Sequence, residues 1–324
     1  MSIISVRNLR KTFKVKARDN KGVVSYFFPK MDELHSIKTL SFEIQSGERI
    51  AFIGPNGAGK STTIKILTSI LCPTAGEVQV LGLTPWLERK KLVRNIGVVF
   101  GQRSQLFFQL PVSDSLKLLA SAYDIPRGEY QKRLGHLAEI LEASEYLNRQ
   151  VQQLSLGERM RCELIASLLH NPKILFLDEP TIGLDIISKN IVRRFIKQIS
   201  ETHDTTVMLT SHDTADMEMV CDRAIIINKG EMVLDMPIAE IRKRYLNKKI
   251  VSITAETENI SLASSSNLQV LELRPFFTKV EVDTTRFKFD SVLKDITALP
   301  GITDLSIEDP SLEETISTIY RRGV

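Results

Sequence analysis

The sequence predicts an α/β protein built on a largely parallel sheet, with a helical subdomain inserted into it and a smaller α+β domain behind it. Three observations carry this. Short apolar runs rich in β-branched residues alternate with stretches of helical period through the first 245 residues. Between about 111 and 170 the alternation stops, and three helical segments follow one another with no strand between them. After Lys249 the pattern changes again, to short strands and two helices.

In chain order, strands are expected at 3–6, 40–44, 49–53, 96–99, 174–177, 206–209 and 223–227, several of them bounded by Gly, Asp or Asn. Helices are expected at 61–71, 113–123, 129–142, 157–169 and 186–200. In the third of these, Leu134, Leu137 and Leu141 fall on one face. Asn228-Lys229-Gly230-Glu231, between two strand-like runs, reads as a hairpin turn. The polar segment 14–35 has no clear period and reads as a long surface hairpin or loop. The tail offers strands at 251–254, 268–273, 280–282 and 303–307, with helices near 289–299 and 312–321. The expected division is therefore 1–246 for the α/β domain, its helical subdomain at about 111–170, and 249–324 for the accessory domain.

Composition narrows the function. Apolar residues make up 43% and charged residues 25% of 324, which is globular and large enough for two domains. A net charge of +4, from 43 basic against 39 acidic residues, is too small and too scattered for a nucleic-acid footprint. The longest apolar runs fall far short of the ~20 residues that span a bilayer, and residues 1–10 contain no apolar leader segment. Cys72, Cys162 and Cys221 lack metal or redox spacing, which fits a reducing compartment.

Gly54-Pro55-Asn56-Gly57-Ala58-Gly59-Lys60-Ser61 satisfies G-x-x-x-x-G-K-[ST] between an expected strand and an expected helix. Chance produces this pattern in on the order of one in a hundred chains of this size. The glycines let successive N–H groups turn toward phosphate oxygens, the helix start adds its dipole, and Lys60 supplies a point charge near the β- and γ-phosphates. Ser61 would hold Mg²⁺, and Thr62 continues the loop into the helix. A second metal oxygen is expected at the end of a buried strand, and Ile174-Leu175-Phe176-Leu177-Asp178-Glu179 provides Asp178. Glu179, at the same strand end, is placed to polarise a water for attack on the γ-phosphate. Outside this context an Asp-Glu pair would be read as a solvated turn.

These residues resemble the ATP-binding cassette (ABC) ATPases over about residues 2–245. The most specific mark is Leu154-Ser155-Leu156-Gly157-Glu158, similar to the family's LSGGQ signature, with Leu156 in place of a Gly and Glu158 in place of Gln. A serine before a helix is equally an N-cap. The resemblance implies Mg-ATP as ligand and a dimer, with Ser155 and Gly157 of one subunit closing over the nucleotide on the P-loop of the other. Two copies of this chain suffice for that. Gln102 matches the Q-loop glutamine that senses Mg²⁺ and water and faces the membrane partner, provided Gly101 is a one-residue insertion. Asp185 in Gly183-Leu184-Asp185 resembles the D-loop aspartate and is also an ordinary N-cap. His212 resembles the switch histidine near the γ-phosphate. Phe13 takes the place of the aromatic that stacks on adenine; the alternative is a core aromatic beside the first strand.

Residues 99–106, and Asp309-Pro310-Ser311-Leu312-Glu313-Glu314, are similar to ATPase subunits of ABC-2-type exporters. That implies a separate polytopic membrane permease, a peripheral position at the cytoplasmic face of the membrane, and outward transport of drugs, lipids, polysaccharides or ions. Importer-type ATPases, and soluble cassette ATPases acting on ribosomes or DNA, are the alternatives. Against the latter stand a single P-loop and the absence of sustained heptads. A P-loop GTPase lacks its guanine motif, since Asn228-Lys229 is followed by Gly230-Glu231. The basic cluster Arg242, Lys243, Arg244, Lys248, Lys249 reads as a solvated helix end or as a contact with anionic lipid.

Overall fold

The computed structural model describes residues 2–16, 31–101, 103–203, 205–211, 213–245, 248–256, 268–284, 289–299 and 301–308. The chain falls into two compact units, Met1–Met236 and Pro237–Val324.

The first unit is organised around a nine-stranded sheet in the order β4-β1-β2-β9-β8-β3-β7-β6-β5. Its centre is parallel. Strand β3 (Arg49–Ile53) pairs with β7 (Thr206–Thr210) and β8 (Arg223–Asn228), and β6 (Ile174–Asp178) lies between β7 and β5 (Ile96–Phe100). Covered on both faces, these strands read as unbroken apolar runs, which is why their positions follow from sequence to within a residue or two. Their carboxyl ends face the same way, and residues 54, 178 and 210 gather there. In open α/β sheets that is where ligands bind.

The other side of the sheet is antiparallel. Strands β1 (Ser2–Lys16) and β2 (Met31–Gln45) form long arms with Val6 opposite Phe42 and Lys14 opposite Glu33, and β4 (Ala75–Val80) pairs with β1. The sheet is thus more mixed than its apolar runs suggest. Bulges break the alternation of the arms, and the short strand β4 buries only Val78 and Val80. Strand β9 (Glu231–Pro237) follows β8 through the turn at 229–230 and meets β2 at Thr39. Helix α1 (Lys60–Leu67) packs Ile64, Ile66 and Leu67 into a core shared with Ile4, Leu9, Phe42, Phe52 and Phe176, and α2 (Arg89–Val93) adds Leu92.

Between β5 and β6 lie three helices: α3 (Val112–Ala122), α4 (Arg127–Ile140) and α5 (Leu156–Leu168). Pro111 and Pro126 stand immediately before α3 and α4, where a missing N–H costs nothing. Helix α5 is buried on nearly every side. Its Arg161 is accommodated by donating to the Glu142 carbonyl at 3.0 Å and the Tyr146 hydroxyl at 3.0 Å.

The loops after β6 and β7 are clamped together by α6 (Ile186–His203) and α7 (Thr214–Val220). Asp216, with no exposed surface, accepts Nε of Arg193 at 2.6 Å and the hydroxyls of Thr181 and Ser211. Asp213 caps α7 and accepts Arg193 Nη2 at 2.8 Å and Lys189 Nζ at 2.9 Å. Asp216, held by this arginine, therefore ties Ser211, just before position 212, to Thr181 in the turn after Glu179.

The second unit is a four-stranded antiparallel sheet, ordered β11-β12-β10-β13, from β10 (Lys248–Ala255), β11 (Leu268–Arg274), β12 (Phe277–Asp283) and β13 (Ile302–Glu308). Val292 and Ile296 of α9 (Phe289–Thr297) cover Val251, Ile253, Val280 and Val282. Helix α8 (Ile238–Tyr245) also belongs to this unit. The helix expected at 312–321 and the motif at 309–314 lie outside the described residues. Among the described residues no helix is long and apolar enough to cross a membrane.

Arg193→Ala strands a fully buried carboxylate, so it is expected to destabilise the first unit by about 3–5 kcal/mol. Arg193→Ala/Asp216→Leu should recover part of that loss. Denaturant unfolding of the three proteins checks the order; equal midpoints for parent and Arg193→Ala would contradict the clamp.

Candidate active site

The P-loop is a tight, self-bonded turn. Gly57 and Gly59 hold φ of +81° and +106°, values a β-carbon disfavours, and Gly59 lies so close to β2 that a β-carbon would meet the Ser36 carbonyl at 2.7 Å. Ala58 N donates to Pro55 O at 3.1 Å. No side chain caps α1, which leaves its first N–H groups available to an anion. Lys60 is 6% exposed and folds its ammonium onto the carbonyls of Gly54 (2.6 Å) and Pro55 (3.3 Å). Burial pulls its pKa below the usual lysine value, against the opposing pull of Glu179 and Asp178. Thr62 is fixed by Ser36, the two hydroxyls 2.9 Å apart.

Strand β6 delivers Asp178 beside this loop. Its Oδ1 accepts the Ser61 hydroxyl at 3.2 Å and the Thr210 hydroxyl at 2.7 Å. The donor set is all oxygen, and no cluster of three metal-binding side chains exists among the described residues. That suits Mg²⁺, which usually takes one or two protein oxygens and completes its shell with phosphates and water.

Glu179 follows with a positive φ of 55°, uncommon for a non-glycine residue. Its N–H is held by both the carbonyl (3.1 Å) and the hydroxyl (3.0 Å) of Thr210. It borders the cleft around Pro55–Thr62 and a second one lined by Asn56, Ser61, Gly101 and Asp178. The backbone strain therefore sits on the residue assigned as base.

Gly101 is more than an inserted residue. Its N–H donates to the Asp178 carbonyl at 2.9 Å, and a β-carbon there would stand 2.4 Å from the Glu179 carbonyl. Thr210, Ser36 and Gly101 are the neighbours that sequence reasoning left without a role. Thr210 alone carried a signal, directly before Ser211-His212. Gln102 and His212 lie outside the described residues.

The signature heads α5. Ser155 caps α5 in a capping box: its hydroxyl accepts Glu158 N at 3.3 Å, and Glu158 Oε2 accepts Ser155 N at 2.7 Å. Arg149 donates to the other oxygen of Glu158 at 3.3 Å. Burial works to raise the Glu158 pKa, but the bonds from Ser155 and the Arg149 charge outweigh it and hold the group below its ordinary value. The carboxylate that replaces the family glutamine is thus engaged by its own helix start. Gly157 backs onto α6, where a β-carbon would meet the Ser188 hydroxyl at 2.3 Å. Asp185 accepts Ser188 N (2.9 Å) and Oγ (2.7 Å), the N-cap role, and these bonds lower its pKa. Phe13 lies opposite Leu34 in the β1–β2 ladder, with the Lys11 ammonium 5.0 Å from its ring centroid.

Gly101→Ala should push the Glu179 backbone out of place. Turnover is expected to fall by about tenfold to a hundredfold, with ATP affinity within about threefold of the parent, because the P-loop is untouched. Steady-state kinetics and nucleotide titration check this; an unchanged kcat would show that the contact is not needed.

Comparison with known proteins agrees with this geometry. The ABC transporter family profile matches residues 37–182. The linearmycin resistance ATP-binding protein LnrL of Bacillus subtilis (strain 168) is 29% identical over 88% of this chain and 94% of its own. The ABC transporter ATP-binding protein NatA of the same organism is 32% identical over 64% of this chain and 84% of its own. Among solved structures, the ATP-binding cassette MJ0796, dimeric in a post-hydrolysis state bound to ADP and Pi, aligns with a TM-score of 0.62 at 26% identity, over 72% of this chain and 98% of that one. With the P-loop, the Asp178–Glu179 strand end and the capped signature helix in place, the chain belongs to the ATP-binding cassette family, as an ATP-hydrolysing ABC transporter subunit.

Proposed function

We propose that this protein hydrolyses Mg-ATP to drive export through a separate polytopic membrane permease, working as a homodimer held peripherally at the cytoplasmic face of the membrane. The observation that carries the reading is the meeting of the Ser61 hydroxyl, Asp178 and Glu179 at the mouth of the P-loop.

In this reading the loop Gly54–Thr62 cradles the triphosphate with its N–H groups, and Lys60 exchanges its carbonyl partners for the β- and γ-phosphate oxygens. Ser61, Asp178 and Gln102 would hold Mg²⁺, whose charge would offset that of the phosphates. Glu179 accepts a proton from the attacking water as the water oxygen bonds to the γ-phosphorus and the bond to ADP breaks, releasing phosphate. His212 steadies the γ-phosphate, and Phe13 offers a π-face to adenine. The second copy supplies Ser155, Gly157 and Asp185. Its Ser155 hydroxyl turns from the Glu158 amide to the γ-phosphate, while Glu158 stays bound to Arg149 and to the Ser155 amide. Opening of the dimer after phosphate release moves the permease.

Glu179→Gln keeps the shape and removes the base. ATP binding should survive, turnover should fall by roughly 10² to 10⁴, and a nucleotide-sandwiched dimer should accumulate, as seen by size-exclusion chromatography with ATP. Parental turnover would remove Glu179 from the role of base.

The trans arrangement has its own test. Lys60→Ala and Ser155→Arg homodimers should each be nearly inactive, whereas their heterodimer keeps one intact composite site. Mixed chains with heterodimers demonstrated should therefore exceed both parents in ATPase rate; no gain would place Ser155 outside the partner's site.

A further inference from the structure

Glu163 lies in the middle of α5, eight residues past Ser155, and is only 4% exposed. Its helix neighbours Cys162, Leu164 and Ile165 are wholly buried. A carboxylate at that depth is costly unless its oxygens are bonded, and apolar side chains often stabilise such a place as well or better. Burial accordingly pushes its pKa above the ordinary carboxylate value, against the bonds it accepts.

Those bonds come from the turn that follows Gln102. The Ser104 hydroxyl donates to Oε1 of Glu163, and the backbone N–H of Gln105 donates to Oε2 at 3.2 Å. The Gln105 side chain bridges the Glu163 carbonyl (3.4 Å) and the Val98 carbonyl of β5 (3.2 Å). Ser104 Oγ also accepts Leu106 N at 3.1 Å, so the same hydroxyl closes the turn. Farther on, the Arg159 guanidinium of α5 stands over the Phe108 ring at 5.5 Å. One buried side chain thus joins the helix headed by Ser155 to the segment two residues beyond Gln102.

We infer that Glu163 is a positioning residue for ATP hydrolysis: through Ser104 and Gln105 it holds the Gln102 segment to the signature helix, so that the two move together. This rests on the roles proposed above for Gln102 and Ser155. Glu163 itself lines neither of the clefts beside the P-loop.

The test uses the full-length protein, with ATP as the probe, in Glu163→Ala, Ser104→Ala and Gln102→Ala and in the two double variants that contain Gln102→Ala. Gln102→Ala should lower kcat. Glu163→Ala and Ser104→Ala should each lower kcat about tenfold per folded molecule, with KM within about twofold, and neither should lower it further once Gln102 is alanine. A merely structural role would lower the melting temperature and leave kcat per folded molecule unchanged. If Glu163→Ala does not fold, Ser104→Ala carries the same comparison. Low kcat in Gln102→Ala beside parental kcat in the folded Glu163 and Ser104 variants would overturn the inference and leave the Gln102 role standing. Parental kcat in Gln102→Ala would remove that role and the inference with it. Full additivity in the double variants would also overturn it.

Discussion

The site depends on the register of three parallel strands. Asp178 of β6 sits opposite Thr210 of β7, and Ala51 of β3 sits opposite Leu209, so the P-loop and both strand ends emerge at one level. Side chains alternate along a strand, and a slip of one residue would turn Asp178 away from Ser61. What fixes the register is the apolar filling of β3, β6 and β7, buried throughout apart from Arg49 and Asp178. A layer of isoleucine, leucine and phenylalanine thus decides where an acid and a hydroxyl meet.

Around that level the protein places its polar groups by pairing them. Arg193 and Lys189 of α6 hold Asp213 and Asp216 at the start of α7, and Asp216 in turn holds Ser211, just before position 212. Arg49 and Arg223 do similar work at the opposite ends of the strands, with Asp222 and Glu201 for the first and Asp235 and Glu48 for the second. Hydrogen bonding to Asp222 raises the Arg49 pKa despite burial. Such pairs add less to stability than the core does, but each fixes a loop relative to its neighbour.

Much of this was legible in the sequence, for identifiable reasons. The Gly54–Ser61 spacing and the apolar run ending in Asp178-Glu179 encode backbone shape and burial, and both are local. The antiparallel arms were less legible because their alternation is broken by bulges, with register shifts between Val6 and Leu9 and again near Lys11. β4 was missed because it is short and mostly exposed. The long-range contacts left no trace in spacing at all: Gly101 against the Glu179 carbonyl, Ser36 against Thr62, and Glu163 against Ser104 join residues 26 to 78 positions apart, and only folding brings them together.

The folded-back Lys60 bears on how the cycle ends. A buried ammonium deprived of acceptors would be strongly disfavoured, and a phosphate loop that depended on its ligand alone to neutralise that charge would resist giving the ligand up. Here the carbonyls of Gly54 and Pro55 stand ready to receive it. In the cycle proposed above, Lys60 would pass from the phosphate oxygens to these carbonyls, so that release of ADP exchanges one set of oxygens for another. On that proposal the acceptors that let the nucleotide leave are carbonyls of the loop's own backbone.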